Sequence, residues 1–381
     1  MQNINKFTEV YIFVPSITIR RKLPYMESRV KEIDYLKCIF ITLMIIFHLV
    51  YIGDKYPYAK QIVYTFHMSA FLIISGYLAN NRKDARSFLR KFLWIFIPYA
   101  CMEAAYTVMS HFLPVRESVD AITPTVLLDK IFLHPMGPYW YLHTLILCSL
   151  IYYITFRYVR LSVVSRLVVT GVCLFALSHW GGLMNFSNAL YFLIGMTVSQ
   201  SGLRFTQVFR ATTFAIVPFV ILCCFPANLD RGTLAGVAIT WLSISLLLVA
   251  YGYLPVQAKR LSFFIGRNTL VILLFSPIFT ILSKAFLPVF AFDPTGMLFL
   301  VTATAFTLSG CMGMALGYGQ NARFQILLRE EDYIVLRRFT SPPTKGSFTT
   351  NSFSSLRIST SVPYRAYCRC RFFNPAPLLA T

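Results

Sequence analysis

Apolar residues recur along this chain in blocks of about 18–22, parted by short polar or charged segments. Each block is about as long as a helix must be to cross the ~30 Å hydrocarbon core of a bilayer. Ten blocks are read, at roughly 36–53, 60–79, 88–112, 139–156, 161–179, 186–203, 212–229, 233–251, 269–290 and 296–318. Only "RYVR" divides the fourth from the fifth. Strict alternation of apolar and polar positions is missing, which argues against a transmembrane barrel. The pattern predicts an all-α fold, a polytopic transmembrane helical bundle of about ten spans.

Composition agrees with the pattern. Of 381 residues, 56% are hydrophobic and 13% charged, with a mean hydropathy of +0.61. The net charge of +20 raises the question of a nucleic-acid partner. Its distribution answers it. With the spans threaded alternately from an inside start, 20 Lys and Arg fall on inside segments and six on outside ones, namely Lys55, Lys60, Arg116, Lys130, Arg231 and Lys284. The other nine follow the last span, again inside. This positive-inside bias predicts cytoplasmic termini in a multi-pass protein of the plasma (inner) membrane. The lipid bilayer is the expected partner, and no nucleic acid is needed to explain the charge.

The two ends differ from the middle. The organised pattern starts near "MESRVKEIDYLK", so Met26 reads as a start with an upstream extension before it. Between Thr340 and Ser361, 12 of 22 residues are Ser or Thr, and "YRAYCRCRFF" follows. Such a segment buries too little apolar surface to fold. It reads either as a regulatory tail or as a frameshifted C-terminus. The expected organisation is an extension over 1–30, a transmembrane domain over 31–319 and a cytoplasmic tail over 320–381. Seven cysteines sit in or at the ends of spans without zinc-ligand spacing, and Cys368 and Cys370 form a lone C-x-C in the tail. Neither disulfides nor a metal site is expected.

Ionisable groups inside spans are costly, about 2.5–3.5 kcal/mol each on insertion scales, so each raises a question of function. Lys37 and His48 share the first span. Eleven helical steps of about 100° return to within ~20° of one face, some 16 Å along the axis. Lys37 is either a snorkelling anchor or a ligand contact. His48 is either an interhelical hydrogen-bonding group or a reactive one. His67, on the second span, lies at a depth close to that of His48. Ser75-Gly76 on that span reads best as a close-packing site. Glu103 sits past the middle of the third span, beyond Pro98, which is expected to kink the helix, and Tyr99, which is placed to hydrogen-bond across it. His143 follows Tyr139, Trp140 and Tyr141, which read as an interfacial aromatic belt. His111, His134 and His179 are expected in solvent.

Taken together the motifs are recognisable. The chain resembles the acyltransferase-3 family of integral membrane O-acyltransferases, in particular its fucose-4-O-acetylase-like branch. The resemblance rests on "EIDYLKCIFITLMIIFH" (family pattern D-x-L-R/K-x10-H), "FHMSAFLIISGYL", "RKFLWIFIPY", "YWYLHTLI", "YFLIGMTVSQSGL" and "LSFFIGRNTLVILLFSPIF". These occur in family order over about residues 29–318. The resemblance implies transfer of an acyl group, usually acetyl, from cytoplasmic acyl-CoA to a hydroxyl of an envelope or surface sugar, with no bound cofactor. It carries His48 over as the essential histidine and Lys37 as the donor-contacting cation. Lys37 stands where Arg is commoner and offers a point charge in place of a bidentate fork. Ser69-Ala70 replaces Pro-Leu, and Ser276 stands where many relatives have His.

The chemistry is consistent with these residues. Esterification by a thioester needs a base for the hydroxyl proton, and imidazole titrates near the required pH. His48 suits that role, with His67 or Glu103 as an orienting group. Lys37 suits the phosphates of an entering acyl-CoA, reinforced by the basic loop 82–91 and by Arg267 and Asn268. Two other classes stay open. Intramembrane histidines with a carboxylate also mark transporters and flippases, and a non-catalytic relative would act as a membrane partner.

Overall fold

The computed structural model describes residues 30–79, 84–112 and 118–320, with side chains described to 316. The expected extension and tail, with Met26, Cys368 and Cys370, lie outside the described residues apart from Val30 and Gln320. Among the described residues every regular element is helical. In chain order these are α1 (Lys31–His48), α2 (Val50–Lys55), α3 (Pro57–Leu78), α4 (Ala85–Phe112), α5 (Pro124–Phe132), α6 (Trp140–Tyr158), α7 (Val163–His179), α8 (Phe186–Gln200), α9 (Phe205–Val208), α10 (Ile216–Cys223), α11 (Leu234–Tyr253), α12 (Val256–Arg267), α13 (Thr269–Leu282) and α14 (Met297–Gln320). Short 3₁₀ turns lie between several of them.

Six segments are long and apolar enough to cross a membrane: Pro57–Leu78, Ala85–Phe112, Gly137–Tyr158, Leu234–Tyr253, Thr269–Phe286 and Met297–Leu316. Val163–His179 and Thr213–Cys223 are apolar but shorter. The α1 helix is set apart by charge, because its first two turns carry Lys31, Glu32, Asp34 and Lys37. It is nonetheless the centre of the bundle, packed on α3, α11, α12, α13 and α14. The 36–53 block is not one helix. The α1 helix ends at His48, Leu49 is extended (φ −68°, ψ 99°), and α2 starts again at Val50. Leu49 and Ile52 pack with Phe299 and Ala303 of α14, so tertiary contact bends the chain where its composition alone predicts continuation.

Close helix contacts rest on glycine. A Cβ on Gly76 would stand 2.1 Å from the Phe192 carbonyl oxygen, and one on Gly195 would stand 1.9 Å from that of Ile73. The α3 and α8 backbones therefore touch, which bears out the packing role expected of Ser75-Gly76. The α4 helix runs unbroken through Pro98. Tyr99 does not bond across its own helix; its hydroxyl donates to the Ile131 carbonyl of α5 at 2.8 Å. Residues 85–91 of the expected basic loop are the opening turns of α4. The aromatic belt is also corrected. Tyr139 and Tyr141 are buried inside the bundle, where their hydroxyls meet the Leu274 carbonyl (2.8 Å) and Ser75 (2.7 Å). A phenol that finds a partner is not held at the interface.

Candidate active site

The α1 helix carries a polar group toward each end, and a different set of neighbours gathers at each. At its start, Asp34 is 3% exposed and lies between two cations, with Lys37 Nζ at 3.3 Å and Arg267 Nε at 3.6 Å. The α12 helix comes this close because of Gly266, where a Cβ would stand 1.9 Å from the Asp34 carbonyl oxygen. Asn268 is occupied otherwise. Its amide donates to the Phe264 carbonyl at 2.8 Å and closes the turn between α12 and α13.

Beside this cluster lies a cavity of about 280 Å³. Lys37 and Lys91 line it together with Trp94, Thr269 and the end of α3, and its wall includes the Ser75–Tyr141 hydrogen bond. The remaining lining is chiefly Phe, Leu and Ile. Arg267 and Asn268 are not among the lining residues. The beginnings of α1, α4 and α13 and the end of α3 meet here, so the cavity belongs to one end of the bundle. A pair of ammonium groups over an apolar slot suits a ligand with an anionic head and a slender uncharged arm.

At the other end of α1, His48 Nδ1 lies 2.7 Å from the Met44 carbonyl. His67 Nδ1 lies 2.7 Å from the Val63 carbonyl. A carbonyl only accepts, so both neutral rings carry their proton on Nδ1 and present Nε2 as a lone pair. Among the described residues the buried His67 Nε2 has no hydrogen-bond partner. Tyr64 stands between the two rings, with centroids 6.2 Å from His48 and 5.2 Å from His67, and its hydroxyl donates to the Phe47 carbonyl at 3.2 Å. Lys60 Nζ lies over the Tyr64 ring at 5.7 Å. The two histidines expected at similar depth thus flank one aromatic ring, that of Tyr64.

Glu103 keeps different company. It is fully buried, and its Oε1 accepts the Met136 backbone N–H at 2.7 Å. The Thr107 hydroxyl donates to the Glu103 backbone carbonyl at 2.8 Å, and Tyr99 and Tyr139 are within electrostatic reach of the carboxyl. His143, also buried, bonds through Nε2 to the Phe132 carbonyl at 2.9 Å and lies beside Tyr99. His111, His134 and His179 are exposed, and His134 pairs with Asp129 at 2.8 Å. That imidazole holds the Asp129 carboxyl below its ordinary range. Sequence reasoning missed Asp34 as a clamp on Lys37 and Arg267. It also missed Tyr64 between the histidines. The spacing of Asp34 and Lys37, three apart on one helix, was the available signal for the first. The seven described cysteines are free thiols.

A family model described as an acyltransferase domain matches residues 30–316. No curated protein and no solved structure matches the chain.

Proposed function

The chain belongs to that acyltransferase family, and from this premise we propose an O-acyltransferase that moves acetyl from acetyl-CoA to a hydroxyl of an envelope or exopolysaccharide sugar. A multi-pass helical membrane acyltransferase is the coarse description that fold and family share. The observation that supports His48 as the base is the 2.7 Å contact of its Nδ1 with the Met44 carbonyl. Its Nδ1–H is committed to Met44, which leaves Nε2 as a fixed base on the same helix as Lys37.

In the proposed reaction the donor's phosphates rest on Lys37 and Lys91, and its uncharged arm runs from the apolar cavity toward the histidine end of α1. His48 Nε2 removes the proton of the acceptor hydroxyl as the oxygen attacks the thioester carbonyl. The new C–O bond forms, the C–S bond breaks, and the proton passes from the imidazolium to the departing thiolate. His67 and Tyr64 hold the His48 ring between helices. The proposed topology is ten crossings with both termini cytoplasmic, in the plasma (inner) membrane, so that donor and acceptor enter from opposite faces.

The test uses cells lacking the gene, complemented with the natural chain or with His48→Ala, and measures O-acetyl and total surface glycan together. Loss of acetyl at constant glycan, restored by the natural chain but not by His48→Ala, is expected. Loss of the glycan itself with acetyl per sugar unchanged would replace this reading with a transporter.

A further inference from the structure

Near His67 the bundle holds a cation that the proposed transfer leaves unused. Arg231 lies in the turn between α10 and α11, and two hydrogen bonds fasten that turn to helices of the core. Thr65 on α3 donates to the Leu229 carbonyl at 2.8 Å. Tyr191 on α8 donates to the carbonyl of Arg231 itself at 2.7 Å. Thr65 is two residues from His67, so the turn is tied down within one helical turn of that imidazole. The α11 helix fixes the turn from behind through Gly236, where a Cβ would stand 2.3 Å from the Asp230 carbonyl oxygen.

The guanidinium is oriented as well as placed. Its carbon lies 5.2 Å from the centroid of the Trp140 ring, and such a contact holds the planar group while leaving its N–H edge for a ligand. The nearest acid in sequence, Asp230, is engaged in the turn, with Oδ1 accepting the Gly232 N–H at 2.8 Å. Among the described residues Arg231 is in no ion pair within 4 Å. With Asp230 acting on it only from beyond ion-pair distance, a partly buried guanidinium gains from a bound oxyanion. The Thr65 bond to this turn, two residues from His67 on α3, sets the cation at the histidine end of the bundle.

We propose that Arg231 is an anion subsite for the acceptor, binding a carboxylate or phosphate on the same molecule as the hydroxyl that is acylated. The acceptor class is thus an acidic glycan. This rests on the acyltransferase reading above. The subsite aligns the acceptor from its charged group, so its removal acts on acceptor KM and not on the donor.

The experiment takes envelope glycans from cells lacking the gene, separates acidic from neutral by anion exchange, and presents each to membranes holding the full chain with labelled acetyl-CoA. Label is expected in the acidic fraction. Arg231→Gln is expected to lower kcat/KM for that fraction tenfold or more, mainly through KM, with donor KM unchanged, and Arg231→Lys to retain part of the loss. Neutralising the acceptor tests the same point without altering the protein. Carboxyl reduction abolishes preference if the anion is a carboxylate, and phosphate removal does so if it is a phosphate. Labelling of the neutral fraction alone overturns the proposal, as does an Arg231→Gln effect equal on both fractions, which marks an oxyanion-stabilising or purely structural arginine. Label in neither fraction removes the acyltransferase reading and the subsite with it.

Discussion

Lys37 and His48 are eleven residues apart on one helix, and their neighbours divide the labour proposed for them. Lys37 lines the cavity and pairs with Asp34, whereas His48 faces Tyr64. Replacing Lys37 with Ala is expected to raise the apparent KM for acyl-CoA about tenfold, the loss of one charge-assisted contact, with kcat less affected. Steady-state kinetics on membranes over a range of donor concentrations decides this, and an unchanged donor KM removes Lys37 from the donor site. Asp34 makes a separate prediction. It is buried between Lys37 and Arg267, so Asp34→Asn leaves two cations without their counter-charge. The expected cost is about 1–3 kcal/mol, seen as a lower unfolding temperature of the purified protein. His48 and Lys37 were legible in the sequence because a charge in an apolar block stands out. Asp34 was not legible as a clamp, because its second partner, Arg267, comes from 233 residues further on and meets it only through the Gly266 contact.

Elements are held by contacts that composition does not display. The α3 helix carries His67 and Tyr64, and α8 supports it backbone against backbone at Gly76 and Gly195. Gly195→Leu is expected to force the two helices apart at a cost of about 1–3 kcal/mol, as overpacking does. Reduced protein in the membrane fraction, with activity per molecule also lowered through displacement of His67, is the expected outcome. Full accumulation with unchanged activity would show that α3 tolerates the shift. The entry to α14 shows a different device. Asp293 accepts from the Leu298 N–H at 2.9 Å and from Thr295, and these bonds hold its carboxyl down at about 2. A lowered carboxyl stabilises the fold above the ordinary carboxylate range and loses that contribution as pH falls toward 2. Asp293→Asn is therefore expected to flatten the acid limb of the stability curve, which thermal melts between pH 2 and 5 would measure. Helix existence was legible from apolar runs, but the break at Leu49 was not, since it follows from packing on Phe299 and Ala303.

At the scale of the whole molecule the proposed topology is open to a direct test. Reporter fusions or cysteine labelling at Lys55, Arg231 and Lys284 should report the outer side, and positions at Arg86, Arg204 and Arg260 the inner side. The α1, α7 and α8 helices and the α10 segment decide between ten crossings and fewer, because none of them is among the six long and apolar enough to cross. Labels on Arg160 and Arg204 on opposite sides would remove a crossing and with it the shared outer position of Arg231 and His48.

The sequence by itself determined the helical class, the membrane setting, the family resemblance and the placing of Lys37 and His48 on one helix. These are properties of local composition and of spacing along one helix, which periodicity and charge reveal directly. The tertiary structure alone decided which polar groups meet. Helix rotation about its axis is not encoded in apolar blocks that are hydrophobic all round. The structure therefore had to show that His67 joins His48 across Tyr64, that Glu103 turns instead to the Met136 backbone, and that Arg231 is carried to the histidine end by a turn bound to α3 and α8.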